Sequence, residues 1–290
     1  MRYAKFTPFL FILPMLVGLL IFRLIPIGFS FGISFTSWNI FSPPRWIGLE
    51  NYRTLLQSPA FWEVARNTVV FALVFVPLVM GLGLSLAVLV NQKLRGSTFF
   101  RGVFFMPYIT SIVAVALAWK WILATRFGLL NNALMDWFGV QHPPSWLGDP
   151  RYALFAVAFV LAWQSAGFQM LLFLAGLQNI DESLKEAAMI DGATKAQVFR
   201  HITLPLLSPI TFFVLIISLI ASSQTFEVTY ALTGGGPQRA STTLAFYIYQ
   251  NAFVHFQMGF ASSLAYTLLL FVGGLTLLNF FLRRRWVHYG

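Results

Sequence analysis

The sequence predicts an all-α polytopic membrane protein with six transmembrane helices, and three observations support this fold class. Hydrophobic residues make up 58% of the 290 residues and charged residues only 10%, whereas roughly a quarter of an ordinary soluble domain is charged. Long apolar runs recur along the chain, and a helix of about 20 apolar residues crosses the hydrocarbon core of a bilayer. The runs lack the alternation of barrel strands, so the spans are expected to be helices.

Six apolar segments qualify as spans, and we expect a single transmembrane domain over residues 1–290 with a core at about 64–282. The segments are residues 9–35, 68–90, 104–123, 152–177, 206–226 and 260–282. The first is interrupted by Arg23 and Pro26. A signal peptide is the alternative for its first half, but no small-residue cleavage site follows, which favours a retained helix.

Basic residues predict the orientation, because cytoplasmic loops collect Lys and Arg. With the N-terminus inside, 11 basic residues fall in inner segments, namely Arg2, Lys5, Lys93, Arg95, Arg101, Lys185, Lys195, Arg200, Arg283, Arg284 and Arg285. Six fall in outer segments, namely Arg45, Arg53, Arg66, Arg126, Arg151 and Arg239. Both termini are therefore expected in the cytoplasm. This topology and anionic lipid headgroups account for the net charge of +10, which gives no support for nucleic-acid binding.

The loop at about residues 178–206 is charged and favours helix, although it lies between two apolar spans. Asp181 is placed to cap a first short helix and Gly192 to end it, and the pattern of a second helix follows before Pro205. Apolar surface rimmed by charge comes from Leu184, Ala187, Ala188 and Phe199. Such a surface is typical of a helix that binds in a groove of another protein, and a loop packed on the membrane surface is the alternative.

Fixed spacing within this loop carries a family resemblance. The pattern consists of Glu186, Ala187, Ala188, Gly192, Ile202, Leu204 and Pro205. It resembles the "EAA…G…I.LP" loop of the permease subunits of bacterial ABC importers. The stretches IGLENYR (residues 47–53), FFMPYI (104–109) and LTGGGPQRASTT (232–243) resemble carbohydrate-uptake permeases of the maltose type. The resemblance covers nearly the whole chain.

The resemblance implies a location in the bacterial cytoplasmic (inner) membrane, alternating access as the mechanism, and three protein partners. These are a cytoplasmic ABC ATPase dimer that carries ATP and Mg²⁺, a second homologous permease subunit forming a heterodimer, and an extracytoplasmic solute-binding protein. The residues implied to couple to the ATPase are Glu186, Ala187, Ala188, Asp191 and Gly192.

Neither enzymatic activity nor a cofactor is expected on this chain. It lacks the G-x-x-x-x-G-K-[ST] phosphate loop, and TGGGP at residues 233–237 is predicted to form a turn. The four His residues fall in different loops or tails, so no metal site is expected.

Polar residues on two spans are candidate contacts for a carbohydrate, because hydroxyl-rich ligands need hydrogen-bonding side chains and aromatic faces. The candidates are Trp163, Gln164 and Gln169 on the fourth span and Ser218, Ser222, Gln224 and Thr225 on the fifth. Three of the latter are spaced i, i+4 and i+7 on one helical face. The alternative is that these residues hold the helices together in lipid.

Two further functional hypotheses stay open from the sequence. Within the same architecture, the substrate is a mono- or oligosaccharide or, alternatively, a glycerol-phosphate-type or other polyol solute. An ion-coupled secondary transporter belongs to a different class and needs ionisable groups inside its bundle. Of the nine acidic residues only Glu227 lies even at the end of a span, and no inverted repeat is evident, which argues against ion coupling.

Overall fold

The computed structural model describes residues 7–92 and 96–283. The basic residues Arg2, Lys5, Lys93, Arg95, Arg284 and Arg285, which contribute to the predicted orientation, lie outside the described residues. Contacts divide the chain into unit 1, Met1–Trp62 with Tyr247–Leu270, and unit 2, Glu63–Phe246 with Phe271–Gly290. The expectation of one transmembrane domain over residues 1–290 stays a prediction.

Helices dominate the described residues. The first eight are α1 (Thr7–Leu19), α2 (Ile25–Ile33), α3 (Glu50–Gln57), α4 (Pro59–Asn91), α5 (Ser97–Ile109), α6 (Ile112–Ile122), α7 (Leu129–Phe138) and α8 (Pro150–Gln178). The next seven are α9 (Glu182–Ile190), α10 (Lys195–Val198), α11 (Leu204–Leu206), α12 (Ser208–Ser223), α13 (Glu227–Leu232), α14 (Leu244–Tyr249) and α15 (Met258–Leu282). In the described part of the chain, three π-helical turns cover Leu20–Leu24, Phe199–Thr203 and Gln250–Val254.

Within residues 7–92 and 96–283, four helices are long and apolar enough to cross a membrane, and the number of candidate spans is six if each of two bent helix pairs counts as one span. The four are Phe9–Ile33, Pro59–Asn91, Pro150–Gln178 and Met258–Leu282. The pairs are Ser97–Ile109 with Ile112–Ile122, bent by 95°, and Lys195–Leu206 with Ser208–Ser223, bent by 65°. The predicted all-α membrane fold is confirmed. The third predicted span is bent within its length, whereas the second bend lies at Leu207, at the start of the fifth.

The first predicted span is a continuous helix that ends at Ile33 rather than at residue 35. The π-helical turn at Leu20–Leu24 contains Arg23, and Pro26 follows at the start of α2. Within a membrane helix a proline is tolerated where a local π-helical adjustment re-satisfies the backbone groups that its missing N–H frees. The interruption expected at Arg23 and Pro26 is therefore absorbed without a break.

The third predicted span is broken at Thr110, whose backbone is extended between α5 and α6. Pro107 in the last turn of α5 has no N–H to continue the helical hydrogen bonds. The Gln164 side chain on α8 donates to the Thr110 carbonyl oxygen at 3.5 Å. Breaks at membrane depth are tolerated where neighbouring side chains satisfy the freed backbone groups, and Gln164 does so here.

In unit 1, the buried side-chain amide of Asn51, from the IGLENYR stretch, stabilises the turn that follows α2. The Asn51 side-chain amide donates to the carbonyl oxygens of Ser34 at 2.8 Å and Thr36 at 2.9 Å. Thr36 begins β1 (Thr36–Ser37), which pairs antiparallel with β2 (Arg45–Trp46). A Cβ atom at Gly259, at the start of α15, would overlap the Thr36 carbonyl oxygen. The start of α15 thus meets β1 at backbone contact.

The core of unit 2 packs α4 against α8. Phe71 and Phe75 are fully buried and stack at 5.7 Å between ring centroids, beside Val157 and Val160 of α8. A Cβ atom at Gly167 of α8 would overlap the Phe104 carbonyl oxygen of α5 and lie 2.7 Å from the Phe105 Cα atom. Small residues at helix contacts in membranes allow such close approach of two backbones.

Candidate functional site

The charged loop between α8 and α12 folds as the sequence predicts. The Asp181 carboxylate accepts a hydrogen bond from the Ser183 backbone N–H at 3.0 Å and caps α9. This bond stabilises the ionised carboxylate, so the pKa of Asp181 is lowered from its ordinary value. The predicted cap is confirmed.

Gly192 ends α9 with a positive φ of 88°. The Ala193 N–H donates to the Ala188 carbonyl oxygen at 2.9 Å and the Gly192 N–H to the Met189 carbonyl oxygen at 3.1 Å. These two bonds form the Schellman arrangement, in which glycine commonly takes the left-handed position. The chain therefore reverses at Gly192, and the predicted helix end is confirmed.

A second helix begins directly after this reversal. The Thr194 hydroxyl accepts from the Gln197 N–H at 3.4 Å, and the Gln197 side-chain oxygen accepts from the Thr194 N–H at 2.8 Å. This reciprocal capping box starts α10 and satisfies backbone N–H groups that have no partner within the helix. The predicted helix pair is confirmed, although its second member continues as a π-helical turn at Phe199–Thr203.

The outer surface of α9 is exposed and partly apolar. Leu184 is 47% exposed and Ile190 is 85% exposed, and Glu186, Ala187, Asp191 and Gly192 are exposed as well. Ala188 and Phe199 are half-buried, so the predicted apolar surface does not all face outward. Ile190 was not among the residues predicted to form the apolar surface of this loop. Its position next to the charged Asp191, at the end of a helix, could have indicated an exposed apolar side chain. The roles of these residues stay predictions.

The opposite face of α9 lines a cavity of about 390 Å³ in unit 2. Lys185 and Met189 contribute from α9, Val88 from α4 and Val198 from α10. One face of α9 therefore faces the rest of unit 2, and the other face is exposed to solvent.

The TGGGP stretch forms the predicted turn. Gly234 and Gly235 have positive φ values of 60° and 82°. The Thr242 hydroxyl donates to the Gly235 carbonyl oxygen at 2.8 Å, and the Ser241 hydroxyl donates to the Gly236 carbonyl oxygen at 2.6 Å. Buried hydroxyl groups therefore hold the segment closed.

Two candidate substrate contacts bond to each other inside the helix packing. The Gln169 side-chain amide on α8 donates to the Ser218 hydroxyl on α12 at 3.3 Å, and both residues are buried. The Gln169 side-chain oxygen is buried without a hydrogen-bond partner among the described residues. A Cβ atom at Gly83 of α4 would lie 2.5 Å from the Gln169 Cβ atom. This setting favours a packing role for the Gln169–Ser218 pair.

Ser222 also lies in packed surroundings. It is 1% exposed, and its hydroxyl donates to the Leu219 carbonyl oxygen one turn earlier at 2.7 Å. It lines a largely apolar cavity of about 370 Å³ beside Leu215 and Phe271. Because its hydroxyl already bonds within α12 and its side chain is buried, lower uptake in a Ser222 variant would not distinguish a substrate contact from altered helix packing.

Gln224 and Thr225 lie beyond the end of α12, which stops at Ser223, rather than within the predicted fifth span. They line a cavity of about 340 Å³ in unit 2 together with Glu227 and Leu161. Gln224 is exposed, and its side chain makes no hydrogen bond to any residue in 7–92 or 96–283. Of the predicted contacts, Gln224 is therefore the one most available to a ligand.

The fourth-span candidates Trp163 and Gln164 contact the broken α5–α6 segment. Trp163 is 40% exposed and meets Trp119 edge to face at 5.4 Å between ring centroids. Gln164 is occupied by its bond to Thr110. Among the described residues, no group of three or more His, Cys, Asp or Glu side chains is placed to bind a metal ion.

The helical membrane fold and the exposed helix pair on the loop before the fifth span define a class, the permease subunits of ABC transporters. Residues 79–286 match the family described as "Binding-protein-dependent transport system inner membrane component". The chain belongs to this family. It is therefore an inner-membrane transport subunit, and the resemblance drawn from the loop pattern is confirmed, whereas the ion-coupled transporter is not supported.

Several relatives resemble the chain over most of its length. The probable ABC transporter permease protein YesP of Bacillus subtilis is 39% identical over 99% of this chain and 94% of its own. The trehalose/maltose transport system permease protein MalF of Thermococcus litoralis is 38% identical, covering 84% and 82%. The sn-glycerol-3-phosphate transport system permease protein UgpA of Agrobacterium fabrum is 32% identical, covering 99% and 97%.

A solved structure supports the fold. A chain of a bacterial ABC transporter involved in the import of the acidic polysaccharide alginate superposes with a TM-score of 0.83 at 25% identity. The superposition covers 98% of this chain and 96% of that one.

Proposed function

We propose that the chain forms part of the translocation pathway of an ATP-driven, binding-protein-dependent importer of an uncharged mono- or oligosaccharide. A second homologous permease completes the pathway as a heterodimer, and a cytoplasmic ABC ATPase dimer carries ATP and Mg²⁺. An extracytoplasmic solute-binding protein delivers the substrate. Both termini are cytoplasmic, and this chain itself is not an enzyme.

The exposed apolar surface on α9 is the observation that carries the proposal. Leu184 and Ile190 expose large side chains on a loop that is otherwise charged, and Ala187 between them is small enough for close approach. Exposed apolar residues rimmed by charge mark sites of protein contact, and a short helix with such anchors fits a groove. The ATPase subunit is the partner that this surface fits, because this chain has no phosphate-binding loop of its own.

Movement of this docked helix pair supplies the proposed mechanism. ATP binding closes the ATPase dimer, and α9 moves with the groove that holds it. The capped reversal at Gly192 passes this movement to α10 and, through the bent segment before Ser208, to α12. The pathway then changes between inward-facing and outward-facing states.

The charge of the cavity at the end of α12 supports an uncharged substrate over a glycerol phosphate. Glu227 lines this cavity beside Gln224 and Thr225, and no Lys or Arg among the described residues lines it. A phosphate group would be repelled by the carboxylate and would find no cation to offset its charge. The amide and hydroxyl groups instead suit sugar hydroxyls.

Purification of the chain with its co-expressed neighbouring subunits tests the assignment. We expect one ATPase dimer and one second permease per chain, and uptake by proteoliposomes of at least one of trehalose, maltose and lactose in the presence of ATP and the binding protein. Uptake of glycerol 3-phosphate but of no sugar would show that the substrate is a glycerol-phosphate-type solute rather than a carbohydrate. Transport without an ATPase would overturn the proposal.

The predicted orientation can be tested with single cysteines, because the chain contains none. Both Arg239 and Lys195 are exposed. We expect Arg239→Cys to react with a membrane-impermeant maleimide in intact cells and Lys195→Cys to react only after permeabilisation. Reverse labelling would place α9 outside the cell and remove it from any ATPase.

Gln224→Leu tests the proposed substrate contact with little change in side-chain volume. We expect uptake to fall by roughly tenfold, because loss of one or two hydrogen bonds in the transport cycle costs on the order of 1–2 kcal/mol. Assembly with the ATPase and at least part of the hydrolysis stimulated by the binding protein should remain. Gln141→Leu, in the exposed loop after α7, is the matched control. Equal uptake by the two variants would show that Gln224 does not contact the substrate.

A further inference from the structure

Unit 1 contains a polar pocket of about 470 Å³ that is separate from the candidate contacts on α8 and α12. It is formed by the turn after α2, by α3 and by the segment that leads into α15. A volume of roughly 300–1,000 Å³ is typical of small-molecule sites. The function described above does not use this pocket.

Part of the lining is a fixed amide framework. Asn51 and Asn251 are 8% and 4% exposed, and Asn251 donates to the Tyr247 carbonyl oxygen at 2.8 Å. The Asn39 side-chain oxygen accepts from the backbone N–H and the hydroxyl of Ser42 at 3.0 and 2.7 Å. With the two bonds from Asn51 to the backbone, these contacts orient three amide side chains of the wall, of which Asn39 is exposed and the other two are buried. A preorganised wall reduces the entropy lost when a ligand binds.

Other polar groups around the pocket keep their hydrogen-bonding capacity. The side chains of Ser37, Thr54, Tyr247 and Gln257 line it and form no hydrogen bond to any other described residue. Three hydroxyl groups and one amide supply both donors and acceptors. A ligand that is itself rich in hydroxyl groups can pair with this mixture.

Aromatic rings complete the lining, and none of the described residues that belong to it is charged. Trp38 and Phe260 line the pocket with Tyr247, and Phe29 packs edge to face against Trp38 at 6.3 Å between ring centroids. Aromatic rings pack against the apolar C–H faces of sugars, whereas an anionic ligand requires a cation that the pocket lacks. The pocket therefore suits an uncharged polyhydroxylated molecule.

Two residues beside the pocket adopt backbone conformations that side chains disfavour. Ile40 follows Asn39 with a φ of 70°, and Phe256 precedes Gln257 with a φ of 56°. A β-branched residue at positive φ is a true outlier, and such strain persists where the surrounding structure enforces it. Phe256 packs on Phe41 at 5.2 Å, which helps to hold both turns.

We infer that this pocket binds an uncharged carbohydrate on the extracytoplasmic side of the permease. The inference rests on the proposed function, because the side follows from the proposed orientation and the ligand class from the proposed import of sugars. Residues 37–54 lie between the first and second spans and residues 247–257 between the last two, both in outer segments. A sugar released by the binding protein would therefore reach this pocket from the extracytoplasmic side.

The test uses the full complex in lipid nanodiscs, without binding protein, and radiolabelled trehalose, maltose and lactose as probes in equilibrium binding. The variant carries Gln257→Leu and Thr54→Val, two near-isosteric changes at side chains that make no hydrogen bond within the described part of the chain. Gln57→Leu is the control, because Gln57 is exposed on α3 and does not line the pocket. We expect the double variant to weaken binding of the transported sugar about tenfold and to raise the KM of uptake without lowering its maximal rate.

The outcomes separate this inference from the proposed function. Sugar uptake with unchanged binding and KM in the double variant would overturn the pocket assignment and leave the importer standing. Displacement of the bound sugar by glycerol 3-phosphate, lost in the double variant, would also overturn it, because the pocket would then prefer an anion. If no sugar enters proteoliposomes of the parent complex, the proposed function itself fails.

Discussion

Gly192→Val is expected to abolish most transport while the spans still insert and fold. The φ of Gly192 is 88°, and the space around it is open, so conformation rather than collision limits substitution. A side chain in the left-handed region costs about 1–2 kcal/mol, and a β-branched one more. The loop would then no longer form the Schellman arrangement at residue 192. As a result, α9 would take an orientation in which it cannot dock to the ATPase.

The expected loss is at least about tenfold in uptake, because about 1.4 kcal/mol lowers tenfold the equilibrium constant between the docking-competent and the other conformations of the loop, and a β-branched residue costs more. Gly192→Asn is the matched control, since asparagine enters the left-handed region more readily than other residues with a side chain. Bound ATPase per permease and uptake by proteoliposomes should both rank in the order wild type, Asn variant, Val variant. If the Val variant matches wild type in both, α9 does not couple ATP hydrolysis to transport.

Gly167→Ala is expected to destabilise the permease itself. The added Cβ atom would overlap the Phe104 carbonyl oxygen and approach the Phe105 Cα atom to 2.7 Å. Both are backbone atoms, so no side-chain rotation relieves the contact and α5 must move away from α8. Overpacking of this kind typically costs about 1–3 kcal/mol. Displacement of α5 would also strain the bond between Gln164 and Thr110.

The experiment compares Gly167→Ala with Gly81→Ala, a second glycine in a membrane helix whose added Cβ meets no atom within 4 Å. Alanine favours helix over glycine by roughly 0.5–1 kcal/mol, so the control should be neutral or slightly stabilised. The fraction of monodisperse permease after heating in detergent should be lower for the Gly167 variant and unchanged or slightly higher for the control. Equal heat stability would show that α5 and α8 are not in backbone contact.

Several features of the loop were predictable because their determinants are contiguous in sequence. A cap such as Asp181, a helix end such as Gly192 and a capping box all act over three to five residues. The TGGGP turn belongs to the same category. The exposure of individual residues did not follow, because Ala188 and Ile190 differ in which neighbours cover them.

The candidate substrate contacts fall into two groups, one in the helix packing and one beside a cavity, and their helical spacing did not predict this difference. Ser218, Ser222 and Thr225 share a predicted face, yet Ser218 bonds to Gln169 in the packing, whereas Thr225 lies beyond the helix beside a cavity. Spacing places side chains around one helix axis and carries no information about the next helix. Whether a side chain is packed or lines a cavity depends on which neighbouring helix lies against it.

By itself, the sequence determined the membrane class, the approximate positions of six candidate spans and the helix pair of the charged loop between α8 and α12. Hydropathy and helix capping are local properties, so they can be predicted without knowledge of the fold. Only the tertiary structure decided that the third span breaks at Thr110, where Gln164 satisfies the freed carbonyl group from 54 positions away. It also decided that Asn51 and Asn251 line one pocket in unit 1. The physical reason is that hydrogen bonding and burial are set by residues distant in sequence, which only packing brings together.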